Sequence, residues 1–268
     1  MGTSPPSPLS LIPQPLIGMN WEPAPSNYTS LPAPAQYGDT DFANDDFIAL
    51  WNVDGNGVGR YDLQTIKGLG VNTVKMYNWS VPAPNGYWMR SHEGFLAQAK
   101  SMGLNVIVPI SNFYTGTAYN NRTNNNNPAG PPPSPDLQEW IFYILQEIYK
   151  SGDPSPLIMW AIGNEFDNSN VGAYGYCEAQ DIATIASYIV NAEKQLKVAQ
   201  GNILPITCPV TTAIQPVNRS IPCASPPANG MGVCAIQALI TALTNALGTD
   251  FVSQRFIDDR RSISMESQ

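Results

Sequence analysis

The strongest constraint on this chain is a recurring unit: a short apolar strand, a loop, an amphipathic helix, a glycine, then another apolar strand. Leu16 to Trp21 opens the series as a first strand. Leu63, Ile66 and Leu69 stand at helical spacing within Tyr61 to Leu69, Gly70 ends that helix, and Val71 to Tyr77 forms a strand. The unit returns with a helix over His92 to Met102, then Gly103, then a strand over Leu104 to Ile110. Asp136 and Glu139 suit a capping box, and Ile141, Ile144, Leu145 and Ile148 supply the apolar stripe of the next helix. Pro156 to Met159 leads into a fourth strand that ends in Trp160-Ala161-Ile162-Gly163-Asn164-Glu165-Phe166. A helix over Glu178 to Val198, a strand over Asn202 to Thr207 and a helix over Val233 to Leu247 follow. Asp250 to Ser253 is expected to open a sixth strand.

Largely apolar strands separated by helices point to a parallel sheet covered on both faces. An open doubly wound sheet normally carries a glycine-rich phosphate turn after its first strand. This chain has Trp21-Glu22-Pro23-Ala24-Pro25 there, without a glycine. Long loops instead follow strands one, three and five, as in a (β/α)8 barrel that builds its site from the loops after its strands. The expectation is an α/β fold, a (β/α)8 TIM barrel over residues 16–257. It would hold about six strand–helix units and so be incomplete at the C-terminus. Residues 1–15, rich in Pro and Ser, are expected to be flexible, and 258–268 to form an irregular tail. Missing units would leave an exposed hydrophobic sheet edge.

Chemistry is expected where strands end. A carboxyl emerging from an apolar strand has a raised pKa and suits a general acid, which singles out Glu165. Aromatic and amide residues gather at four strand ends: Asn20-Trp21, Tyr77-Asn78-Trp79, Asn112-Phe113-Tyr114 and Asn164-Glu165-Phe166. Sugar rings stack their C–H faces on aromatic rings while their hydroxyls need amide and carboxylate partners. The set therefore points to an oligo- or polysaccharide, although single members could be core or rim aromatics. Asp167 is suited to supporting Glu165 or binding sugar, and Glu22 to a pocket role or to capping its loop. His92, the sole histidine, precedes a helix and is expected to cap it or lie at the rim.

The remaining classes are disfavoured. Charged residues are only 13% of the 268, well below the usual share of about 25%, and the net charge of −8 leaves no basic patch for a nucleic acid. The one cationic cluster, Arg255, Arg260 and Arg261, is interrupted by Asp258 and Asp259 and assigned to the tail. No segment is long and apolar enough to be expected to span a membrane. Asp54-Gly55-Asn56-Gly57 lacks the further ligands of a calcium loop, and no phosphate loop or nucleophile elbow occurs. No cofactor and no metal is expected. Cys177, Cys208, Cys223 and Cys234 are spaced too widely for a zinc ribbon and permit three full disulfide pairings. With Asn-Xaa-Ser/Thr acceptors at Asn27, Asn78, Asn121 and Asn218, they lean towards a glycosylated, extracellular or cell-wall-associated protein. No apolar run near the start reads as a signal peptide.

Several of these passages carry a family likeness. Tyr61 to Tyr77, Ala99 to Pro109 and Trp160 to Glu165 resemble, in order, the second, third and fourth strand regions of fungal β-1,3-glucanosyltransferases, within the barrel glycoside hydrolases that cleave or transfer β-glucans. The likeness extends over about Gly18 to Ile257. It implies that Glu165 is the acid/base and that Asn164 bonds the sugar 2-hydroxyl. It also implies substrate contacts from Asn20, Trp21, Glu22, Lys75, Tyr77, Asn78, Trp79, Asn112, Tyr114 and Asp167. Lys75 stands where family members often have Arg, which keeps the charge but loses the two-pronged geometry. The family takes its nucleophile from a Glu at the end of a seventh strand. Here Glu266, in a Ser-rich tail, is the only Glu beyond Glu193. The implied activity is that of a glycoside hydrolase or transglycosylase on β-glucan. The alternative is a non-catalytic carbohydrate-binding derivative.

Overall fold

A strand whose six residues are all apolar and all buried, as in Leu157–Ile162, must be covered on both faces. The computed structural model shows how, for residues 12–13, 15–21, 61–76, 79, 92–110, 137–151, 153–163, 179–209 and 232–257. Six parallel strands form one sheet in chain order: β1 (Gly18–Asn20), β2 (Thr73–Lys75), β3 (Asn105–Ile110), β4 (Leu157–Ile162), β5 (Ile206–Thr207) and β6 (Phe256–Ile257). Between them run α1 (Asp62–Gly68), α2 (Glu93–Ser101), α3 (Leu137–Gln146), α4 (Ala179–Leu196), α5 (Gly232–Leu247) and α6 (Thr249–Arg255). A five-residue π turn, Glu147–Ser151, continues α3.

Both the order and the faces exclude a doubly wound sheet. That fold reverses its strand order and carries helices on either side. Among the described residues the order does not reverse, and all the helix cover lies on one side. Val106, Val108 and Ile110 of β3, with Leu157, Trp160 and Ile162 of β4, join residues of α1 to α5 in one large core. The opposite face carries a small separate cluster, Ile107, Ile158, Met159 and Ala161, against which Ile12 and Ile257 pack. This is the arrangement of a (β/α)8 barrel, helices outside and apolar side chains within, represented by a six-strand arc.

A bulge sets the phase of β4. Val106 pairs with Leu157 but Ile107 pairs with Met159, so Ile158 is the extra residue, and it turns inward beside Met159. Past the bulge Trp160 and Ile162 face the helices while Ala161 faces inward. Gly163, at φ 67, then leaves the strand in a conformation that a side chain disfavours, and its N–H bonds the Ile110 carbonyl at 2.7 Å.

Two expectations need correction. Asp250 to Ser253 is not strand but part of α6, and the sixth strand begins at Phe256. A four-residue apolar window does not separate the two, and here Phe251 and Val252 reach the core from a helix. Of residues 1–15, the structure describes 12, 13 and 15. Ile12 packs on the inner cluster, and the Asn72 side chain donates to the Pro15 carbonyl at 2.7 Å while accepting from the Ile17 N–H at 2.9 Å. Arg255 is no tail cation but a buried member of α6. The expected hydrophobic edge is present: Leu16, Ile17 and Met19, leading into and along β1, are 39%, 46% and 36% exposed.

Candidate functional site

The C-terminal ends of the six strands lie along one rim, where barrels build their sites. Asn20 and Lys75 end β1 and β2 and are register partners, joined further by the Trp21 N–H donating to the Lys75 carbonyl at 2.8 Å. Ile110, Ile162 and Thr207 continue the rim at the ends of β3, β4 and β5. The structure thus brings Asn20 and Lys75 together, beside the edges from which the other expected residues depart. Asn164, Glu165 and Asp167 lie outside the described residues, as do Glu22, Tyr77, Asn78, Asn112, Tyr114, Phe113, Phe166 and Asp258.

Two expected sugar contacts take another role. Trp21 is 4% exposed, stacks on Phe95 with 5.4 Å between ring centroids, and donates from Nε1 to Asp62 at 2.8 Å. Trp79 is wholly buried, stacks on His92 at 3.9 Å and meets Phe95 edge-on at 6.3 Å. Both indoles are core residues with their N–H groups satisfied, so neither offers a ring face to a sugar. His92 is likewise wholly buried rather than at the rim. It occupies the N-cap of α2 but makes no side-chain capping bond.

Two buried ionic groups escaped the sequence reading. Glu147 accepts from Trp79 Nε1 at 3.0 Å, from the His92 backbone N–H at 2.7 Å and from His92 Nδ1 at 2.9 Å. Glu193 holds Arg255 in a bidentate pair at 2.8 and 2.9 Å, and the guanidinium also donates to the Leu204 carbonyl. Burial pushes the Glu193 carboxyl above the usual carboxylate range, with Arg255 opposing the shift. Burial, then the charge of Glu193, raises the Tyr149 hydroxyl as well. A signal for both acids existed. Glu147 follows Ile144 by three residues and Glu193 follows Ile189 by four, so each falls beside the apolar stripe of its helix.

Cys208 is buried, and its Sγ donates to the Ile162 carbonyl at 2.9 Å. Cys177 and Cys223 lie outside the described residues, and nothing is described of the Cys234 side chain. Among the described residues no cluster of three His, Cys, Asp or Glu fits a metal ion. No described helix is long and apolar enough to cross a membrane.

No family model matches the chain, and no curated protein does. Among solved structures it is similar to a GH5-4 broad specificity endoglucanase from Clostridium acetobutylicum. The two are 12% identical with a TM-score of 0.41, over 78% of this chain and 58% of that one. A family 51 α-L-arabinofuranosidase from Bifidobacterium longum gives 17% identity and a TM-score of 0.38, over 73% of this chain and 38% of that one. The chain therefore spans less than two thirds of the length of either. Likeness at this level says nothing of substrate or mechanism, and the fold assignment rests on the sheet itself.

Proposed function

We propose that this chain is a carbohydrate-active barrel, a glycoside hydrolase or transglycosylase acting on β-glucan, β-1,3-linked, with Glu165 as acid/base. One observation carries the proposal: β4, buried along its whole length, ends at Ile162 on the rim of a sequential parallel sheet, and Gly163-Asn164-Glu165 comes directly after it. An acid that follows a dry strand loses hydration in its charged form and keeps its proton near neutrality, as a leaving oxygen requires. Asn164 then serves the sugar 2-hydroxyl, and Asn20 and Lys75 serve hydroxyls further along the rim.

The chemistry needs a second carboxyl. At about 5–5.5 Å from the first it attacks the anomeric carbon and configuration is retained; at about 6.5–9.5 Å it activates a water and configuration inverts. Glu22, Asp167 and Asp258 are the candidates in this sequence. An extracellular or wall-associated setting suits such a substrate and agrees with the Asn-Xaa-Ser/Thr acceptors.

The second reading is a carbohydrate-binding protein without turnover, to which a rim of strand ends is equally suited. Laminarin separates the two. Turnover by the native chain, lowered about 10²–10⁴-fold in Glu165→Gln with affinity retained, supports the enzyme. Full activity in that variant overturns the assignment of Glu165. Binding without product favours the second reading, and neither binding nor product overturns both.

A further inference from the structure

The outer layer holds a cleft that belongs to neither the core nor the rim. α3 packs against α4, and their inward stripes, Ile141, Ile144 and Leu145 with Ile182, Ile185 and Ile189, are buried. At the solvent side of this seam the two helices part around a cleft of about 280 Å³. Gln138, Glu139 and Phe142 of α3 line it, with Tyr188, Ala192 and Gln195 of α4. Ala192 is buried and brings only a methyl group, where a larger residue would fill the seam as the isoleucines do further in.

The lining has the chemistry of a sugar site. Phe142 and Tyr188 pack against the margin of the core and remain only half-buried. Gln138 and Gln195 are exposed, and each amide offers both donors and an acceptor. Tyr143 donates to Glu139 Oε1 at 2.7 Å, which fixes that carboxylate on α3. Aromatic faces suit the C–H faces of a sugar, and amides with a carboxylate suit its hydroxyls. This is the combination expected at the strand ends, where Trp21 and Trp79 are instead buried in the core.

Other ligand classes fit less well. The lining holds a carboxylate and no cation, in a chain of net charge −8, so it repels a phosphate or any other anion. A wholly apolar ligand would desolvate two amides and a carboxylate without bonding them. An ammonium ligand would suit the rings and Glu139 but supplies no acceptor for the amide N–H groups. The volume lies at the small end of ligand pockets, about 300–1,000 Å³, so it takes a short stretch of a chain rather than a long one.

We infer that the cleft between α3 and α4 is a second carbohydrate site, which holds a neutral glucan strand on the outer layer while the rim engages another part of it. The identity of the sugar rests on the proposed glucan reading; the preference for a neutral, hydroxyl-rich ring does not.

The test compares retention of the whole chain on particulate β-1,3-glucan with its turnover of short laminari-oligosaccharides. Tyr188→Ala is expected to weaken retention about tenfold, the worth of a stacked ring, and to leave kcat/KM on the short substrates within about twofold. The double variant Gln138→Ala with Gln195→Ala places the best helix former at two exposed helical positions, so the fold is kept where Tyr188→Ala disturbs it. It is expected to weaken retention about fivefold through lost hydrogen bonds. Unchanged retention in the double variant, or in a folded Tyr188→Ala, overturns the site. So does an equal loss of retention and of turnover on the short substrates, which would place these residues at the substrate of the rim. A native chain that retains glucan without turning it over, and loses retention in the variants, ends the enzyme reading and upholds the cleft. A native chain that is not retained overturns the cleft, whatever its turnover.

Discussion

Arg255 and Glu193 illustrate what a buried charge requires of its surroundings. The guanidinium spends its donors on both oxygens of Glu193 and on the Leu204 carbonyl, and it lies 5.4 Å from the centre of the Phe251 ring. Removing one partner leaves the other uncompensated. Arg255→Met is expected to cost about 3–5 kcal/mol, and Glu193→Leu in the same chain to recover most of it; urea denaturation of both variants checks this. The pH dependence has a definite sign. Without Arg255 the Glu193 carboxyl, already raised by burial, rises further. Between the unfolded value, about 4.3, and that raised value, the folded state holds a proton that the unfolded state has lost. The single variant therefore loses stability as pH rises from about 4.3 through that raised value, and a flat or opposite trend counts against a buried, unpaired acid. At this scale the sequence was half legible. A Glu at stripe spacing can be seen; its partner sixty-two positions away cannot, since pairing is made by tertiary contact. Trp21 and Trp79 fail for a related reason. An aromatic next to an amide has one composition whether its face meets a sugar or Phe95, and only the packing of α2 decides.

Turns of chain direction were the most legible features at the level of elements. Gly70 and Gly103 were expected to end α1 and α2, and both adopt positive φ, 84° and 61°. At Gly103 an added Cβ would come no nearer than 3.7 Å to Lys67 Nζ, so space is available and only the backbone objects. Gly103→Ala is accordingly expected to cost about 1–2 kcal/mol and Gly103→Asn less, read as shifts in denaturation midpoint. A larger loss for alanine would mean that the side chain, rather than φ, is the obstacle. The expected stripe Ile141, Ile144, Leu145 and Ile148 is buried as its spacing required, the last of them in the π turn rather than in α3. Less was legible in short elements. β5 and β6 are two residues each, and α6 occupies the apolar window expected to be strand. The π turn left no sequence signature, because one added residue per turn changes no composition.

For the molecule as a whole, periodicity was enough to specify a parallel sheet with barrel order, since the central strands β3 and β4 had to be dry on both faces. What periodicity could not supply was how the two margins are treated. Ile17, just before β1, and Met19 within it are exposed at the margin of the sheet that the described residues form, the kind of margin that associates with other chains. Ile17→Lys is expected to reduce concentration-dependent association by light scattering while changing stability by less than about 0.5 kcal/mol. No change in association would mean that this margin is already shielded in solution. The margins also differ in how they are moored. β6 follows directly from Arg255, which ties it to the longest helix, and its Ile257 carbonyl accepts from Thr207. β1 pairs with β2, and the residues leading into it are held by the side-chain amide of Asn72. Such an arc is expected to open from the front like a zip from its first tooth, with amide hydrogen exchange faster along β1 than along β6.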